Sequence, residues 1–180
     1  SSQKTYKFEK SFFLLKETTY RLLNSGGPDG EIGASMRYLS QRFTAPNRVC
    51  MAVLTDVATE ELGHLEMVST IVHQLTANLT VEEIENQGFA DYYVDHAVGI
   101  WPQSAGGIPF NSCEFQSKGD PITDMFESMA AEQKARSTYD NILRVVRDIP
   151  EIADPIRFLR AREVVHFQRF GEALQSLQDQ

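Results

Sequence analysis

The sequence predicts an all-α fold in which four helices form one bundle. Two segments place apolar residues at steps of three and four, the period of one buried helix face. They are Cys50, Leu54, Val57, Val68, Ile71 and Leu75, and then Ile156, Leu159, Phe170, Leu174 and Leu177. Short turns join the first bundle helix to the second and the third to the fourth, whereas residues 78–120 separate the second from the third. We therefore expect two helical hairpins joined by a long crossover.

Glycine and proline signals bound the first hairpin. A short apolar helix over residues 12–23 is expected to end at Ser25-Gly26-Gly27-Pro28, a C-cap followed by a stop. Asp29 is then the expected cap of a bundle helix over about residues 30–43. Pro46 lies in the first turn of the next bundle helix, which is predicted over about residues 46–77.

The second hairpin has two matching start signals. Asp120-Pro121 and Asp154-Pro155 each combine an N-cap residue with a proline at the first helical position, so helices are predicted over about residues 121–147 and 155–177. In the crossover, Thr80-Val81-Glu82-Glu83 is a capping box that predicts one short helix. The whole is the connectivity of a ferritin-like bundle with one long crossover, in a single domain over residues 1–180.

Composition and charge exclude several classes of protein. The chain has 180 residues and a net charge of −8, with acidic and basic residues interspersed and no basic run of the kind that binds nucleic acid or anionic membranes. No apolar stretch approaches the roughly 20 residues of a membrane span, and the start lacks a signal-peptide pattern. We expect a cytoplasmic protein without nucleic-acid or membrane partners, and with Cys50 and Cys113 as free thiols.

Two of the four histidines follow a glutamate by three residues, in Glu61-Leu62-Gly63-His64 and Glu163-Val164-Val165-His166. Residues at this spacing share one helix face. Both pairs lie within the apolar stripes, where an unpaired carboxylate costs several kcal/mol, so a partner cation is predicted. A dimetal centre in such a bundle draws one Glu from each of two helices and Glu-x-x-His from each of the other two. The chain fills these positions in order with Glu31, Glu61/His64, Glu132 and Glu163/His166.

The donor types indicate the chemistry. Four carboxylates and two neutral imidazoles balance the charge of two divalent cations. Oxygen and imidazole donors without a thiolate favour manganese or iron over a structural zinc ion. Two such ions can bridge a small oxygen substrate and exchange two electrons with it, which predicts redox chemistry of peroxide or dioxygen. The alternative is that each Glu-His pair makes only a polar contact in the core.

The motifs closely resemble those of the manganese catalases. The resemblance lies in residues 26–34, 37–39, 59–67, 131–139 and 158–166, and in the crossover at residues 106–110 and 118–121. The two crossover stretches resemble the short, spore-coat-associated branch of the family. The resemblance implies two manganese ions per chain, with iron as the alternative. The implied ligands are Glu31, Glu61, His64, Glu132 and His166, with Glu61 bridging the two ions.

The resemblance also suggests roles outside the ligand set. Glu163 would be a carboxylate that is not a ligand and that manages protons, and Tyr38 would hold Glu31 by a hydrogen bond. Glu60 is expected to be mainly solvated or to lie just outside the ligands. Arg136 is expected either to form a structural ion pair or to act at the site. Ala131 replaces an arginine that some members of the family carry before the third-helix glutamate.

The implied activity is disproportionation of hydrogen peroxide to water and dioxygen by a homo-hexamer that is also a spore-coat component, in contact with other coat proteins. Two alternatives remain open from the sequence. The same donors suit a diiron oxidase or ferroxidase, and the bundle could serve mainly as a structural module for coat assembly.

Overall fold

A computed structural model describes residues 26–27, 29–87, 104 and 108–179. Within these ranges the fold is all-α, as predicted. Its α-helices are α1 (Glu31–Gln41), α2 (Arg48–Thr76), α3 (Val81–Gln87), α4 (Pro121–Val146) and α5 (Pro150–Gln178), and two short 3-10 helices span Arg42–Thr44 and Ser112–Glu114. The predicted helix over residues 12–23 and much of the crossover lie outside the described residues.

Side-chain caps fix several helix starts. Asp120 accepts a hydrogen bond from Thr123 N at 2.8 Å and precedes Pro121, so the predicted start of α4 is confirmed. Thr80 and Glu83 form the predicted capping box of α3. The cap expected at Asp29 is wrong: α1 begins after Gly30 without a side-chain cap, and Asp29 instead pairs with Lys134 Nζ at 2.7 Å.

The start predicted for the last helix at Asp154-Pro155 is also wrong. The helix α5 begins five residues earlier, with Pro150 in its first turn and Pro155 inside it. A proline near a helix start leaves only one early carbonyl without its usual partner, which is a small loss. The additional turn buries Ile152 and Ala153 against α2 and α4, and this apolar contact holds it in the helix.

The bundle helices are antiparallel to their neighbours. Ser35 of α1 donates to the Ala58 carbonyl of α2 at 2.8 Å, and the two helices are joined by a short turn. Three other helix pairs are also antiparallel: α1 with α4, α2 with α5, and α4 with α5. In each pair, contacting residues have rising numbers on one helix and falling numbers on the other. Pairs that show this are Gln41 with Ser128 and Tyr38 with Glu132, Cys50 with Ala173 and Glu60 with Arg162, and Asp140 with Arg160 and Glu132 with His166. The diagonal pairs, α1 with α5 and α2 with α4, therefore run parallel.

Among the described residues, the core contains two apolar clusters along the bundle axis. One contains Val68, Ile71, Ile142, Val146 and Ile156 among its buried residues. The other contains Cys50, Leu54, Val57, Phe170 and Leu174. Full burial of one such side chain stabilises a fold by about 1.5–3 kcal/mol, so these clusters can support a polar layer between them.

Two further predictions concern the cysteines and membrane-spanning helices. Cys50 is buried, Cys113 is exposed, and both are free thiols, as expected. None of the helices in the described part of the chain is both long enough and apolar enough to cross a membrane.

Candidate metal centre

Six acidic and imidazole side chains from the four bundle helices meet in the layer between the two apolar clusters. None of the six is more than 5 % exposed. Helix α1 supplies Glu31 from its first turn and α4 supplies Glu132, while α2 and α5 each supply a Glu-x-x-His pair. Because these pairs have the spacing of one helix face, each helix presents its carboxylate and its imidazole together. The structure thus brings together all six residues that the sequence placed at a dimetal site.

His64 directs its Nδ1 atom toward three carboxylates. The nearest is Glu61 Oε2 at 2.8 Å, followed by Glu163 Oε1 at 3.6 Å and Glu31 Oε2 at 3.8 Å. Glu163 is therefore as close to this nitrogen as Glu31 is. The structure places Glu163 within the cluster, whereas the family resemblance implied a carboxylate outside the ligands.

His166 has an equivalent environment on the other side of the cluster. Its Nδ1 atom lies 2.7 Å from Glu61 Oε1 and 3.4 Å from Glu132 Oε2. The two imidazole rings are stacked, with centroids 5.4 Å apart and planes inclined by 20°. Glu61 therefore directs one oxygen to each histidine, the position that a bridging carboxylate requires.

Two tyrosines hold the remaining carboxylates in a reciprocal manner. Tyr38 of α1 donates a hydrogen bond to Glu132 Oε1 of α4, and Tyr139 of α4 donates one to Glu31 Oε1 of α1. The expected bond from Tyr38 to Glu31 is therefore wrong, because the antiparallel register of α1 and α4 brings each tyrosine to the opposite glutamate. Sequence reasoning missed Tyr139 as a partner of a carboxylate. The available signal was its spacing, since each tyrosine follows the glutamate of its own helix by seven residues.

Glu60 lies on the outer edge of both imidazoles. Its Oε2 atom is 3.2 Å from His166 Nε2, and its Oε1 atom is 3.6 Å from His64 Nε2. Arg162 of α5 donates to both oxygens, from Nε to Oε1 and from Nη2 to Oε2, the latter at 3.1 Å. Sequence reasoning missed Arg162, because a charged residue beside a buried motif reads as part of a solvated face.

Arg136 does not reach this cluster. Its Nη1 atom lies 2.6 Å from Asp140 Oδ2, and its Nε atom donates to Gln133 at 2.8 Å. Of the two roles expected for Arg136, the structure shows an ion pair on α4.

The site repeats within the chain. A shift of 101 positions relates the glutamate and tyrosine of α1 to those of α4, and a shift of 102 relates the Glu-x-x-His pair of α2 to that of α5. The shift of 102 also relates Glu60 to Arg162. The two hairpins therefore supply equivalent donors, and they differ in charge at the position before each Glu-x-x-His.

Burial and mutual repulsion perturb the carboxyl groups. Burial, and then the charge of Glu61, raises the pKa of Glu31 well above its ordinary value. Burial, and then the charges of Glu31 and Glu132, does the same to the pKa of Glu163. Neutral carboxyl groups relieve this repulsion in the absence of a cation.

The imidazoles and Glu60 respond differently. Burial lowers the pKa of His64. Burial would also lower the pKa of His166, but the adjacent carboxylates of Glu132 and Glu61 raise it to about 10. Burial opposes ionisation of Glu60 as well, yet hydrogen bonds from Arg162 and the adjacent His166 lower the pKa of Glu60 to about 2. Glu60 is therefore ionised at neutral pH.

The inner atoms of the cluster fit a pair of metal ions. Oε1 of Glu61, Oε2 of Glu132, Oε1 of Glu163 and Nδ1 of His166 are buried and make no aligned hydrogen bond within the described part of the chain. One donor atom from each of Glu61, His64, Glu163 and His166 lies within 4.8 Å of the others. Buried polar atoms without partners are costly, and cations would satisfy them. Carboxylate and imidazole donors suit manganese.

Comparison with known proteins identifies the family. The family model described as manganese containing catalase matches residues 19–180. The chain belongs to the manganese catalase family. Manganese is the cofactor of this family, and the buried Glu/His cluster can bind it.

Individual proteins that resemble this chain support the family assignment. Over 161 residues the chain is 45% identical to Protein CotJC of Bacillus subtilis (strain 168), covering 89% of this chain and 84% of that protein. Over 155 residues it is 30% identical to a probable manganese catalase of Clostridium acetobutylicum, covering 86% and 68%. The crystal structure of wild-type KatB, a manganese catalase from Anabaena, superposes with a TM-score of 0.80 at 28% identity, covering 91% of this chain and 73% of that one.

In this member of the manganese catalase family, a pocket between α1 and α4 reaches the cluster on the side away from Glu60. Its lining includes the small residues Ala34, Ala131 and Ala135, and the carboxylates Glu31, Glu132 and Glu163. Small side chains at this position leave room for a small solute to approach the carboxylates.

Proposed function

We propose that the protein is a dimanganese catalase, which converts two molecules of hydrogen peroxide into two of water and one of dioxygen. The observation that carries the proposal is the position of Glu61 between two buried imidazoles, with one oxygen directed to each. When bound, two manganese ions supply the redox capacity for this reaction, because each can change its oxidation state by one. A single-ion site would not need a carboxylate shared in this way.

The carboxylates and imidazoles divide between two metal positions. Glu31 and His64 would hold one ion, and Glu132 and His166 would hold the other, with Glu61 shared. The contacts of the two Nδ1 atoms support this division, and the Glu163 carboxylate, 3.6 Å from His64 Nδ1, is the one that it leaves free. Tyr38 and Tyr139 each fix a carboxylate from the opposite helix, so the hydroxyl groups limit the movement of Glu132 and Glu31. Burial raises the pKa of Tyr38 well above its usual value, which keeps its hydroxyl group a donor.

Glu163 is the residue best suited to handle protons. Its side chain is buried, it borders the pocket between α1 and α4, and the division of ligands above leaves its carboxylate free. A carboxylate that is not a ligand can accept a proton from a small solute beside it and return that proton later. We therefore assign to Glu163 the acceptance of a proton from peroxide and its return to departing water.

The reaction is tested by its stoichiometry. Manganese-loaded protein should release one dioxygen for every two peroxide molecules consumed, measured with an oxygen electrode and without any reductant. The variant Glu61→Gln should lose this activity. The matched control is Glu66→Gln, because Glu66 is an exposed carboxylate of the same helix that contacts Thr70, and its activity should be unchanged.

Other results would favour the alternatives. A diiron oxidase or ferroxidase would consume dioxygen or peroxide only with Fe(II) or another reducing substrate, and would then stop. Peroxide loss without dioxygen release, or a strict need for a reductant, would contradict the catalase proposal. An inert protein that still assembles into a coat would favour the structural alternative.

We also propose that the protein is made in the cytoplasm and incorporated into a spore coat, as a homo-hexamer in contact with other coat proteins. The support is the resemblance to the short, spore-coat-associated branch and the 45% identity to Protein CotJC. Antibody labelling of purified spores and light scattering of the isolated protein at micromolar concentration test the two parts. Absence from the spore layers, or a monomer in solution, would contradict them.

A further inference from the structure

We propose that Glu60 and Arg162 form one positioning unit that orients both metal-binding imidazoles. The inference rests on the metal centre proposed above and adds to it two residues that bind no metal. One carboxylate would serve His64 and His166 together, and Arg162 would hold that carboxylate in place.

The geometry places Glu60 where a single side chain can reach both rings. The rings are stacked, and both turn Nδ1 toward the inner carboxylates and Nε2 toward the seam between α2 and α5. At this seam each oxygen of Glu60 lies beside a different ring, 3.2 Å from His166 Nε2 and 3.6 Å from His64 Nε2. Both Nε2 atoms are buried and have no aligned acceptor among the described residues, so a small rotation toward Glu60 would complete both bonds.

Imidazole chemistry requires such an acceptor. A neutral imidazole that binds a metal through Nδ1 carries its proton on Nε2, and a partner for this N–H fixes both the tautomer and the orientation of the ring. An ionised carboxylate is a strong acceptor for this purpose. Glu60 has two oxygens and can accept from both rings at once, which leaves both Nδ1 atoms free to bind metal.

Arg162 determines where the Glu60 carboxylate lies. It donates to both oxygens in a two-point contact, which fixes the plane of the carboxylate as well as its position. Both side chains are 29% exposed, and exposed ion pairs add little to stability. Orientation of the rings is therefore a larger expected effect of this pair than stabilisation of the fold.

The internal repeat supports a joint role. Glu60 and Arg162 occupy equivalent positions in the two hairpins, next to the two Glu-x-x-His pairs. A carboxylate in both positions would place two negative charges face to face. With one acid and one base, a single carboxylate stays between the two rings and its charge is compensated.

The first test measures affinity for Mn²⁺ by competition with a chelator. Glu60→Gln removes the negative charge, and we expect about 10–100-fold weaker binding, the usual effect of losing such a partner. Arg162→Met leaves the carboxylate but frees it, so a smaller loss is expected. Arg169→Met is the matched control, because Arg169 also links α5 to α2, through Asp56 Oδ2 at 2.6 Å, but does not contact the cluster. It should bind Mn²⁺ as the wild type does.

The second test reads the imidazoles directly. Zn²⁺ serves as a diamagnetic substitute, and the Nε2–H protons of His64 and His166 are observed by NMR. Both resonances should lie downfield and exchange slowly in the wild type, and both should shift and exchange faster in Glu60→Gln. If Glu60→Gln does not fold, Glu60→Asp keeps the charge, withdraws it from the rings by one methylene, and should show the same change.

Defined results would overturn the inference. One is a Glu60→Gln or Glu60→Asp protein that binds Mn²⁺ within twofold of the wild type. Another is a shift of only one of the two Nε2–H resonances. A third is an Arg162→Met protein whose Mn²⁺ affinity equals that of Arg169→Met. The affinity measurement involves no peroxide. A wild-type protein that binds Mn²⁺ tightly but releases no dioxygen would therefore contradict the proposed activity and leave the role of Glu60 standing.

Discussion

Removal of the metal ions should make the protein less stable as the pH rises. In the structure, His166 Nδ1 lies 2.7 Å from Glu61 Oε1 and 3.4 Å from Glu132 Oε2. Although burial disfavours the charged ring, these carboxylates raise the pKa of His166 from 6.5 to about 10. A manganese ion on Nδ1 would take the place of that proton, so the titration should disappear when the metal is bound.

The direction and size of this stability change follow from the difference between the pKa of His166 in the folded and unfolded states. A histidine whose pKa is raised by folding contributes stability that is fully present below its unfolded value and is lost as the pH rises toward its folded value. Between pH 7 and pH 9 this loss is on the order of 2–3 kcal/mol in all. For a chain of this length, that corresponds to a fall of about 5–10 °C in Tm.

The other titratable groups of the cluster do not reverse this loss of stability with rising pH. The pKa values of Glu31 and Glu163 are raised chiefly by burial, so their ionisation as the pH rises also destabilises the fold. The pKa of Glu60 is lowered to about 2 and that of His64 is lowered by burial. Glu60 contributes stability that is lost only as the pH falls toward its lowered pKa, and His64 costs stability only as the pH falls below the ordinary pKa of a histidine, so both changes lie below this window.

The assay is thermal unfolding at pH 7, 8 and 9, with and without Mn²⁺. The Tm of the metal-free protein should fall across the series, the Tm of the loaded protein should stay nearly constant, and the gap between them should widen. Metal-free His166→Gln should show a smaller slope, whereas His73→Gln, which changes an exposed histidine of α2, should keep it. A metal-free Tm that is constant or rises from pH 7 to pH 9 would refute the reasoning.

Three other changes have defined outcomes. His64→Ala or His166→Ala removes one imidazole and should weaken metal binding and peroxide turnover; two retained ions per chain with full turnover would show that the ligand assignment is wrong. Tyr38→Phe and Tyr139→Phe should keep the metals, lower turnover and, in the metal-free protein, lower the free energy of unfolding by about 1–3 kcal/mol each, the usual cost of leaving a buried acceptor without its partner. Unchanged kinetics would reduce these tyrosines to packing residues. Gly63→Ala should raise the free energy of unfolding by about 0.5–1 kcal/mol, because the helix position is open and nothing lies within 4 Å of the added methyl group; a lower Tm would count against it.

The parts of the site that could be predicted from the sequence depend on one helix at a time. Glu61 and His64 face the same way because of their spacing, and their burial follows from the apolar stripe around them. The chain order of the donors then identified the bundle and its connectivity. Spacing along one helix was sufficient here, because the Glu-x-x-His pairs and the apolar stripes are patterns of a few residues.

The parts that could not be predicted depend on contacts between helices. Periodicity places Tyr38 on a face but does not give the register of α1 against α4, so its bond to Glu132 and the reciprocal bond of Tyr139 were not foreseen. Arg162 pairs with Glu60 of α2, and nothing in the sequence around Arg162 indicates this partner. The start of α5 was likewise decided by packing, since the capping signal at Pro155 was overridden by burial of the preceding turn.

The internal repeat has a consequence for how such a chain could arise. Two identical hairpins, each with the α1 and α2 donors, would supply all six inner side chains as a symmetric dimer. They would also bring two copies of Glu60 together at the seam, with no base between them. Fusion of the hairpins into one polypeptide lets the two copies of a position diverge, so an acid in one half can face a base in the other. The break in symmetry at Glu60 and Arg162 is thus available to a duplicated and joined chain, and not to a dimer of identical halves.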